Sequence, residues 1–211
     1  MKQMNNRGLL IVYSGPSGVG KGTILAPLTE KGGPLTLSVS VTTRRPRQGE
    51  ISGIHYHFIT ADEFEGMIKS SQMLEYAKYG DNYYGTPGAF VENELNEGRD
   101  VILEIETQGA KRIKELMPEA ITVFVVPPSF AELKKRLEGR STETDEDVKN
   151  RLETAVEELE FAKDYDFIIV NDNVETARQR LLEIVAAGRY MARSNKKLLD
   201  EVLTDAQTVI E

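Results

Sequence analysis

The sequence predicts an α/β fold with a mostly parallel sheet flanked by helices and interrupted by two inserts. Three observations point to it. Short apolar runs alternate with helix-like segments along most of the 211 residues, the pattern of strand–helix–strand units that build a parallel sheet. The first run, Leu9–Tyr13, is apolar without interruption, as in a central strand buried on both faces, and it leads straight into a glycine-rich turn. Two stretches, at about 40–88 and 136–152, break this rhythm in composition.

After the first strand, the spacing of Ile24, Leu25 and Leu28 predicts a helix over about Gly20–Lys31, ended by the turn Gly32-Gly33-Pro34. Leu35–Val41 alternates apolar and β-branched residues with Ser and Thr and reads as one strand. Thr42–Ile59 is a polar, arginine-rich loop with a short strand around His55–Ile59. A helix over Asp62–Ser71 follows, with Asp62 as its N-cap and Phe64, Met67 and Ile68 on one face. Met73–Ala77 and Asn82–Tyr84 read as a small hairpin, and Pro87 introduces a helix over Gly88–Asn96. The core pattern then resumes. Strands are expected at Asp100–Ile105, Ile121–Val126 and Phe167–Val170, and helices at Gln108–Met117, Phe130–Glu138, Glu146–Ala162 and Val174–Met191. Gly139–Asp147 is a charged loop whose acidic run, Glu143–Asp147, suits a helix-start cap better than a metal site. The tail Ser194–Glu211 has Leu198, Leu199, Val202 and Leu203 at helical spacing, for a helix docked on its own body or on a second copy, or else a frayed end.

Composition narrows the function classes. With 40% hydrophobic residues the chain can bury a substantial core, and its length suits one domain with inserts. Cysteine is absent, which excludes disulfides and thiolate metal sites and suits a reducing compartment. There is no apolar run of about 20 residues and no signal-like apolar segment in Met1–Arg7, so a cytoplasmic protein is expected. A net charge of −8 argues against nucleic acid and anionic membranes as partners. Any anionic ligand must meet a local cluster of cations.

Such a cluster begins at the glycine-rich turn. Gly15, Pro16, Ser17, Gly18, Val19, Gly20 and Lys21 have the phosphate-loop spacing, in which backbone N–H groups cradle α- and β-phosphates and the lysine reaches the β- and γ-phosphates. Roughly one chain of this length in fifteen would carry the bare pattern by chance, so the preceding strand and following helix decide the reading. Gly22 stands where a Ser or Thr usually ligates Mg²⁺, and Thr23 comes one residue later. Phosphate oxygens and water are then expected to fill most of the ion's shell. In the first insert, Arg44, Arg45 and Arg47 lie within four residues of one another, and guanidinium forks suit phosphate. Tyr56 can add a hydroxyl to the same group. Glu75, Tyr84 and Thr86 add a carboxylate, a phenol and a hydroxyl, and a carboxylate matches the N1–H and N2 edge of guanine. His55 and His57 alternate to the strand face opposite Tyr56 and read as structural.

These motifs together resemble the guanylate kinase family. The run Thr42-Thr43-Arg44-x-x-Arg47-x-x-Glu50-x-x-Gly53-x-x-Tyr56-x-Phe58 follows its signature, with GPSGVGKGT at the phosphate loop, LEYA around Glu75, NYYGT around Tyr84, LEIETQG around Glu104, LKKRLEGR in the second insert and VND near Asn171. The likeness runs from about Gly8 to Tyr190. It implies a P-loop kinase core at about 8–39, 89–135 and 153–191, a GMP-binding region at 40–88, a lid at 136–152 and a helical tail at 194–211. The implied reaction is ATP-dependent, Mg²⁺-assisted phosphorylation of GMP, and also dGMP, to the diphosphate. By analogy, Ser40, Arg44, Arg47, Tyr56 and Tyr84 hold the GMP phosphate, Glu75 and Thr86 read guanine, and Glu104 and Glu106 face the acceptor nucleotide. Arg136, Arg140 and Arg151 join Lys21 and Arg44 in neutralising the transferred group, and Asn171 and Asp172 lie near adenine. Two alternatives stand beside this reading: a phosphopeptide-binding module that grips its ligand through Arg44, Arg47 and Tyr56, and a nucleoside-monophosphate kinase for another base.

Overall fold

The computed structural model describes residues 7–139 and 145–210. β1 (Leu10–Ser14) leads through α1 (Lys21–Thr29) to β2 (Thr36–Leu37), β3 (Val41–Thr42) and β4 (His57–Phe58). α2 (Ala61–Lys69), β5 (Met73–Tyr79), β6 (Asn82–Pro87) and α3 (Gly88–Asn96) follow, then β7 (Val101–Glu104), α4 (Thr107–Leu116) and β8 (Ile121–Val126). α5 (Phe130–Glu138), α6 (Asp145–Glu160), β9 (Phe167–Val170), α7 (Val174–Gly188) and α8 (Lys196–Ile210) complete the order.

β1 is buried along its whole length because it lies at the centre of a sheet ordered β2-β7-β1-β8-β9, in which every neighbouring pair is parallel. Alternation sorts its side chains. Ile11 and Tyr13 face a layer built from Ile24, Leu25 and Leu28 of α1, Leu133 of α5 and Leu181 of α7. Leu10 and Val12 face Val91 and Leu95 of α3 and Ile113 of α4. Tyr13 stands level with Glu104, so the segments after β1 and β7 leave the sheet side by side. The second sheet, ordered β4-β3-β6-β5, is formed within the first insert. Phe64 of α2 packs on it, stacked on Tyr83 at 5.3 Å and edge-on to Tyr76.

The α/β class and mostly parallel core follow the sequence, and four elements differ from it in detail. The expected strand Leu35–Val41 is two strands: Thr36 and Leu37 pair with β7 in the core, whereas Val41 and Thr42 pair with β4 and β6 in the second sheet. The chain crosses between sheets here, and period-two alternation looks the same on either side of a crossing. The N-cap of α2 is Thr60, not Asp62, because Thr60 and Glu63 form a reciprocal capping box. The hairpin extends through Thr86 to Pro87, which puts Glu75 opposite Thr86. α6 begins at Asp145, inside the stretch read as a charged loop; Glu143 lies outside the described residues. The tail does form a helix, α8, but none of its residues is buried.

At the end of the core away from the phosphate loop, Asp166 fastens the sheet. Its Oδ2 accepts hydrogen bonds from the Thr122 N–H (2.9 Å), Lys114 Nζ (2.8 Å) and Arg193 (2.7 Å). Burial acts to raise its carboxyl, but the Lys114 and Thr122 bonds and the charges of Lys114 and Arg193 hold it below the ordinary aspartate range. The folded state therefore binds this proton less readily than the unfolded chain, so the stabilisation is complete above about pH 4 and is lost as pH falls through the lowered value. Asp166→Asn is expected to lower the unfolding free energy at pH 7 by about 1 kcal/mol, with the difference from the parent shrinking below pH 4. Urea denaturation at pH 7 and pH 3.5 checks both; equal midpoints at pH 7 would show that the carboxylate contributes nothing.

Candidate active site

The carboxyl ends of the five core strands gather the residues singled out above, as open parallel sheets do with their ligands. β1 opens into the phosphate loop, β7 into Glu104 and Glu106, β8 toward α5 with Arg136, and β9 into Asn171. β2 leads through Ser40 into the second sheet.

The loop is fixed from behind. Gly20 caps α1 in the left-handed region at φ 97°, and a Cβ there would stand 2.6 Å from Asn171 Nδ2, so geometry and space both demand glycine. The Val19 carbonyl accepts hydrogen bonds from Asn171 Nδ2 at 2.7 Å and Arg136 at 3.2 Å, and Arg136 also donates to the Asn171 carbonyl at 3.1 Å. Asn171 is buried and spends its amide on the loop, and Asp172 pairs with Arg180 at 3.5 Å. Lys21 Nζ folds over the loop, donating to the carbonyls of Gly15 and Pro16. A Cβ on Gly22 would meet nothing within 4 Å, so this position opens away from the protein body.

In the second sheet, Thr42 and Thr43 orient the arginine loop. Thr42 Oγ1 donates to the Tyr83 carbonyl at 2.9 Å and accepts from the Arg44 N–H, while Thr43 Oγ1 accepts from the Tyr83 N–H. Both terminal nitrogens of Arg44 grip the Glu50 carboxylate, at 3.0 and 2.9 Å, and its guanidinium lies 5.5 Å from the Tyr56 ring and 5.7 Å from that of Phe58. The Arg47 N–H caps the same carboxylate at 2.6 Å, leaving its side chain exposed. Tyr56 packs edge-on to Tyr84 at 5.9 Å. Burial and then Glu104 push its hydroxyl up to about 12, which places Tyr56 within electrostatic reach of the core carboxylates. Ser40 gives its carbonyl to the His57 N–H at 2.9 Å. His55 and His57 are both exposed.

Glu75 is 4% exposed and its Oε1 accepts the Thr86 hydroxyl at 2.7 Å across the hairpin. Burial raises its carboxyl; the Thr86 bond and the positive charge of Arg112 oppose that rise. Behind it, α4 comes so close that a Cβ on Gly109 would lie 2.7 Å from Glu75 Oε2. Glu104 is likewise raised by burial, against the attraction of Lys21. Four contributors had escaped the sequence reading: Glu50, Asn171 as a loop support, Gly109, and Glu158 of α6, whose carboxyl faces Glu106 and the Ser17 N–H. Of these, Glu50, Gly109 and Asn171 lie inside quoted motifs, and Glu158 carries no local signal. Arg151 lies on α6 two turns before Glu158; Arg140 lies outside the described residues.

Among the described residues there is no group of three His, Asp or Glu side chains placed to hold a metal ion. A phosphate cradle with Lys21 and without a hydroxyl at position 22 fits an ion carried in on phosphate oxygens and water.

The family model and the curated relatives give one family. The family model described as "Guanylate kinase" matches residues 7–188. The guanylate kinase of Lactococcus lactis is 52% identical over 187 residues, covering 89% of this chain and 91% of that protein. That of Bacillus subtilis is 50% identical over 202 residues, 93% of this chain and 99% of that protein. The crystal structure of guanylate kinase from Anaplasma phagocytophilum superimposes with a TM-score of 0.76 at 29% identity, covering 93% of this chain and 94% of that one.

The Gly109 contact is open to test. Gly109→Ala is expected to push the Glu75 carboxylate off Thr86 and to lower the unfolding free energy by about 1 kcal/mol. An unchanged unfolding midpoint would show that Glu75 has room to yield.

Proposed function

The chain belongs to the guanylate kinase family, and from that membership together with the site we infer that it is a nucleoside-monophosphate kinase transferring a phosphoryl group from ATP to GMP, with GDP and ADP as products. One observation carries the reading: a phosphate loop with its lysine stands on the core sheet, and a buried Glu75–Thr86 pair stands on the second sheet with Arg44 and Tyr56, the chain leaving the core after β2 and returning to it at β7.

In this reading Arg44, Arg47, Tyr56, Tyr84 and Ser40 take the GMP phosphate. Glu75 accepts from the guanine N1–H and N2, with Thr86 holding the carboxylate in place. Glu104 and Glu106 border the acceptor. None of these assignments uses the ribose 2′ position, so dGMP is a second acceptor. The amides of Gly15–Thr23 and Lys21 take the ATP phosphates, with Asn171 supporting the loop toward the adenine side. The acceptor's phosphate oxygen bonds to the γ-phosphorus as the bond from that phosphorus to the β–γ bridging oxygen breaks, so no side-chain nucleophile is needed. The chain aligns the two nucleotides and spreads charge over Lys21, Arg44, Arg136 and Arg151, with Arg140 assigned by resemblance alone. Mg²⁺ entering with ATP would shield the β- and γ-oxygens.

Segments 40–88 and 136–152 are the parts that close over the core, excluding water that would otherwise take the phosphoryl group. The phosphopeptide-binding alternative leaves Lys21 and the lid arginines without a task. No helix of the described residues is long and apolar enough to cross a membrane, and a cytoplasmic setting suits the substrates. Leu199, Val202 and Leu203 are exposed on α8 and offer the surface for a homo-oligomer.

ADP release coupled to an indicator, with ATP and Mg²⁺ and with GMP, AMP, CMP or UMP as acceptor, tests the reaction. Turnover with GMP and little with the others is expected; none with GMP would refute it. Lys21→Met is expected to lower kcat/KM by at least 10²-fold, and turnover near the parent rate would remove Lys21 from transition-state stabilisation. Glu75→Gln turns an acceptor into a donor facing the guanine N–H groups. It is expected to reduce the GMP-to-AMP ratio of kcat/KM by 10- to 100-fold, and an unchanged ratio would reject Glu75 as the base reader.

A further inference from the structure

A cavity of about 480 Å³ lies at the end of the core away from the phosphate loop, where β1 begins and the chain passes from α7 to α8. None of the residues assigned above to ATP or GMP lines it. Its floor is apolar: Leu10, Leu95 and Met117 line it and are each at most 8% exposed. Its walls carry five cations, Arg7, Arg189, Arg193, Lys196 and Lys197, against one carboxylate, Glu119. In a chain of net charge −8 this is a local reversal of sign.

The arginines are held in place by carboxylates behind them. Arg189 donates to Asp100 at 2.8 Å, Arg193 to Asp166 at 2.7 Å, and Arg7 to Glu92 at 2.8 Å and to Asn96. Two of those carboxylates are shared: Asp100 Oδ1 accepts the Leu9 N–H at 2.8 Å, and Asp166 also takes Lys114. Arg193 Nε is buried without a hydrogen-bond partner, an unused donor on a residue of the wall. Lys196 and Lys197 pair with no carboxylate among the described residues, and the first turn of α8, which they open, holds no acidic side chain. Cations thus outnumber carboxylates around the cavity, and two of them lack a counter-charge.

Cations fixed around a hydrocarbon floor suit an organic anion, whose head meets the charges while its body displaces water from the leucines. The volume falls in the range of small-molecule sites. Two lysines without counter-charge call for two negative charges, and a phosphate monoester carries nearly that many at pH 7.

We propose that this cavity is a second binding site, separate from the catalytic one, for a small phosphate monoester with a ring or hydrocarbon body, its phosphate among the cations of the wall and its body on the apolar floor. The ligand has a structural consequence. α8 has no buried residue and makes its main contacts with the turn just before it. A phosphate shared by Lys196 and Lys197 with the arginines fastens that helix to the core.

The test is calorimetric titration of the full chain with naphthyl phosphate, the catalytic site being filled by saturating ADP and GMP. Saturable binding of one probe per chain is expected, with Kd below about 1 mM. Lys196→Gln/Lys197→Gln is expected to weaken it about tenfold while kinase turnover stays at the parent rate, since neither lysine is near the phosphate loop. No saturable binding, or binding undiminished in that double variant, would overturn the proposal. Binding that vanishes on addition of ADP and GMP would place the probe in the catalytic site and overturn it as well. Inorganic phosphate, which has no body, is expected to bind about tenfold more weakly than naphthyl phosphate. Equal affinity would remove the apolar floor from the site and with it the proposed ligand class. Amide hydrogen exchange gives a reading independent of affinity: the probe is expected to slow exchange across 196–210 in the parent and not in the double variant. Unchanged exchange in the saturated parent would overturn the fastening of α8.

Discussion

The Val19 carbonyl is the point on which the site depends. A loop that binds anions must keep its own carbonyl oxygens from competing for the same space, because a carbonyl dipole repels phosphate as strongly as an amide attracts it. Here Asn171 and Arg136 both donate to Val19 O and hold it against the protein. Those two side chains come from the ends of β9 and α5, so the loop after β1 is secured by elements far away in sequence. The parallel sheet makes this practicable. It brings the carboxyl ends of β1, β7, β8 and β9 to one edge, and each end delivers a different chemical group.

Charge is the second constraint. The chain is acidic overall, at −8, and handles polyanions, so its cations must be concentrated and its local carboxylates restrained. Restraint takes two forms. Glu50 is neutralised by the fork of Arg44 and in return fixes that guanidinium against Tyr56 and Phe58. Glu75, Glu104 and Glu158 are instead raised by burial, which makes each ionised form less stable than it would be in water. Such groups lower the stability of the folded state near neutral pH. They are retained where a carboxylate does something a hydrophobic side chain cannot, as in the proposed role of Glu75 opposite a base edge that only donates.

Much of this was legible in the sequence, and for a physical reason. Ile121–Val126, Phe130–Glu138 and Phe167–Val170 begin and end where apolar runs and caps place them: burial on both faces fixes the first, the Ser129 cap starts the second, and the third is an edge strand whose Ile168 and Val170 are exposed. The phosphate loop and the arginine run were legible because their function depends on spacing along the chain. What escaped depends on spacing across it. The break at Ser38–Ser40 leaves no mark in an alternation that both sheets accept, and Gly109 is required by Glu75, 34 positions earlier, rather than by its own turn of helix. The Thr60 cap was available in the sequence as Thr-x-x-Glu and lost only to a nearer aspartate.

The resting contacts of the cations show how binding energy is directed toward reaction. Lys21 lies on two backbone carbonyls of its own loop, and Arg136 on the carbonyls of Val19 and Asn171. The carbonyls are dipole partners, strong enough to fix each side chain near the loop and weaker than a phosphate oxygen carrying formal charge, while Arg136 also keeps its Nε on the Glu132 carboxylate at 3.1 Å. Exchange of carbonyl for phosphate is therefore favourable without a search through rotamers, and the gain grows as charge shifts between the transferring oxygens. For Arg136 the exchange also has a structural cost, because releasing the Val19 carbonyl leaves that oxygen to Asn171 alone. The loop would then keep its shape through one amide, that of Asn171, which is buried and holds the Val19 carbonyl at 2.7 Å.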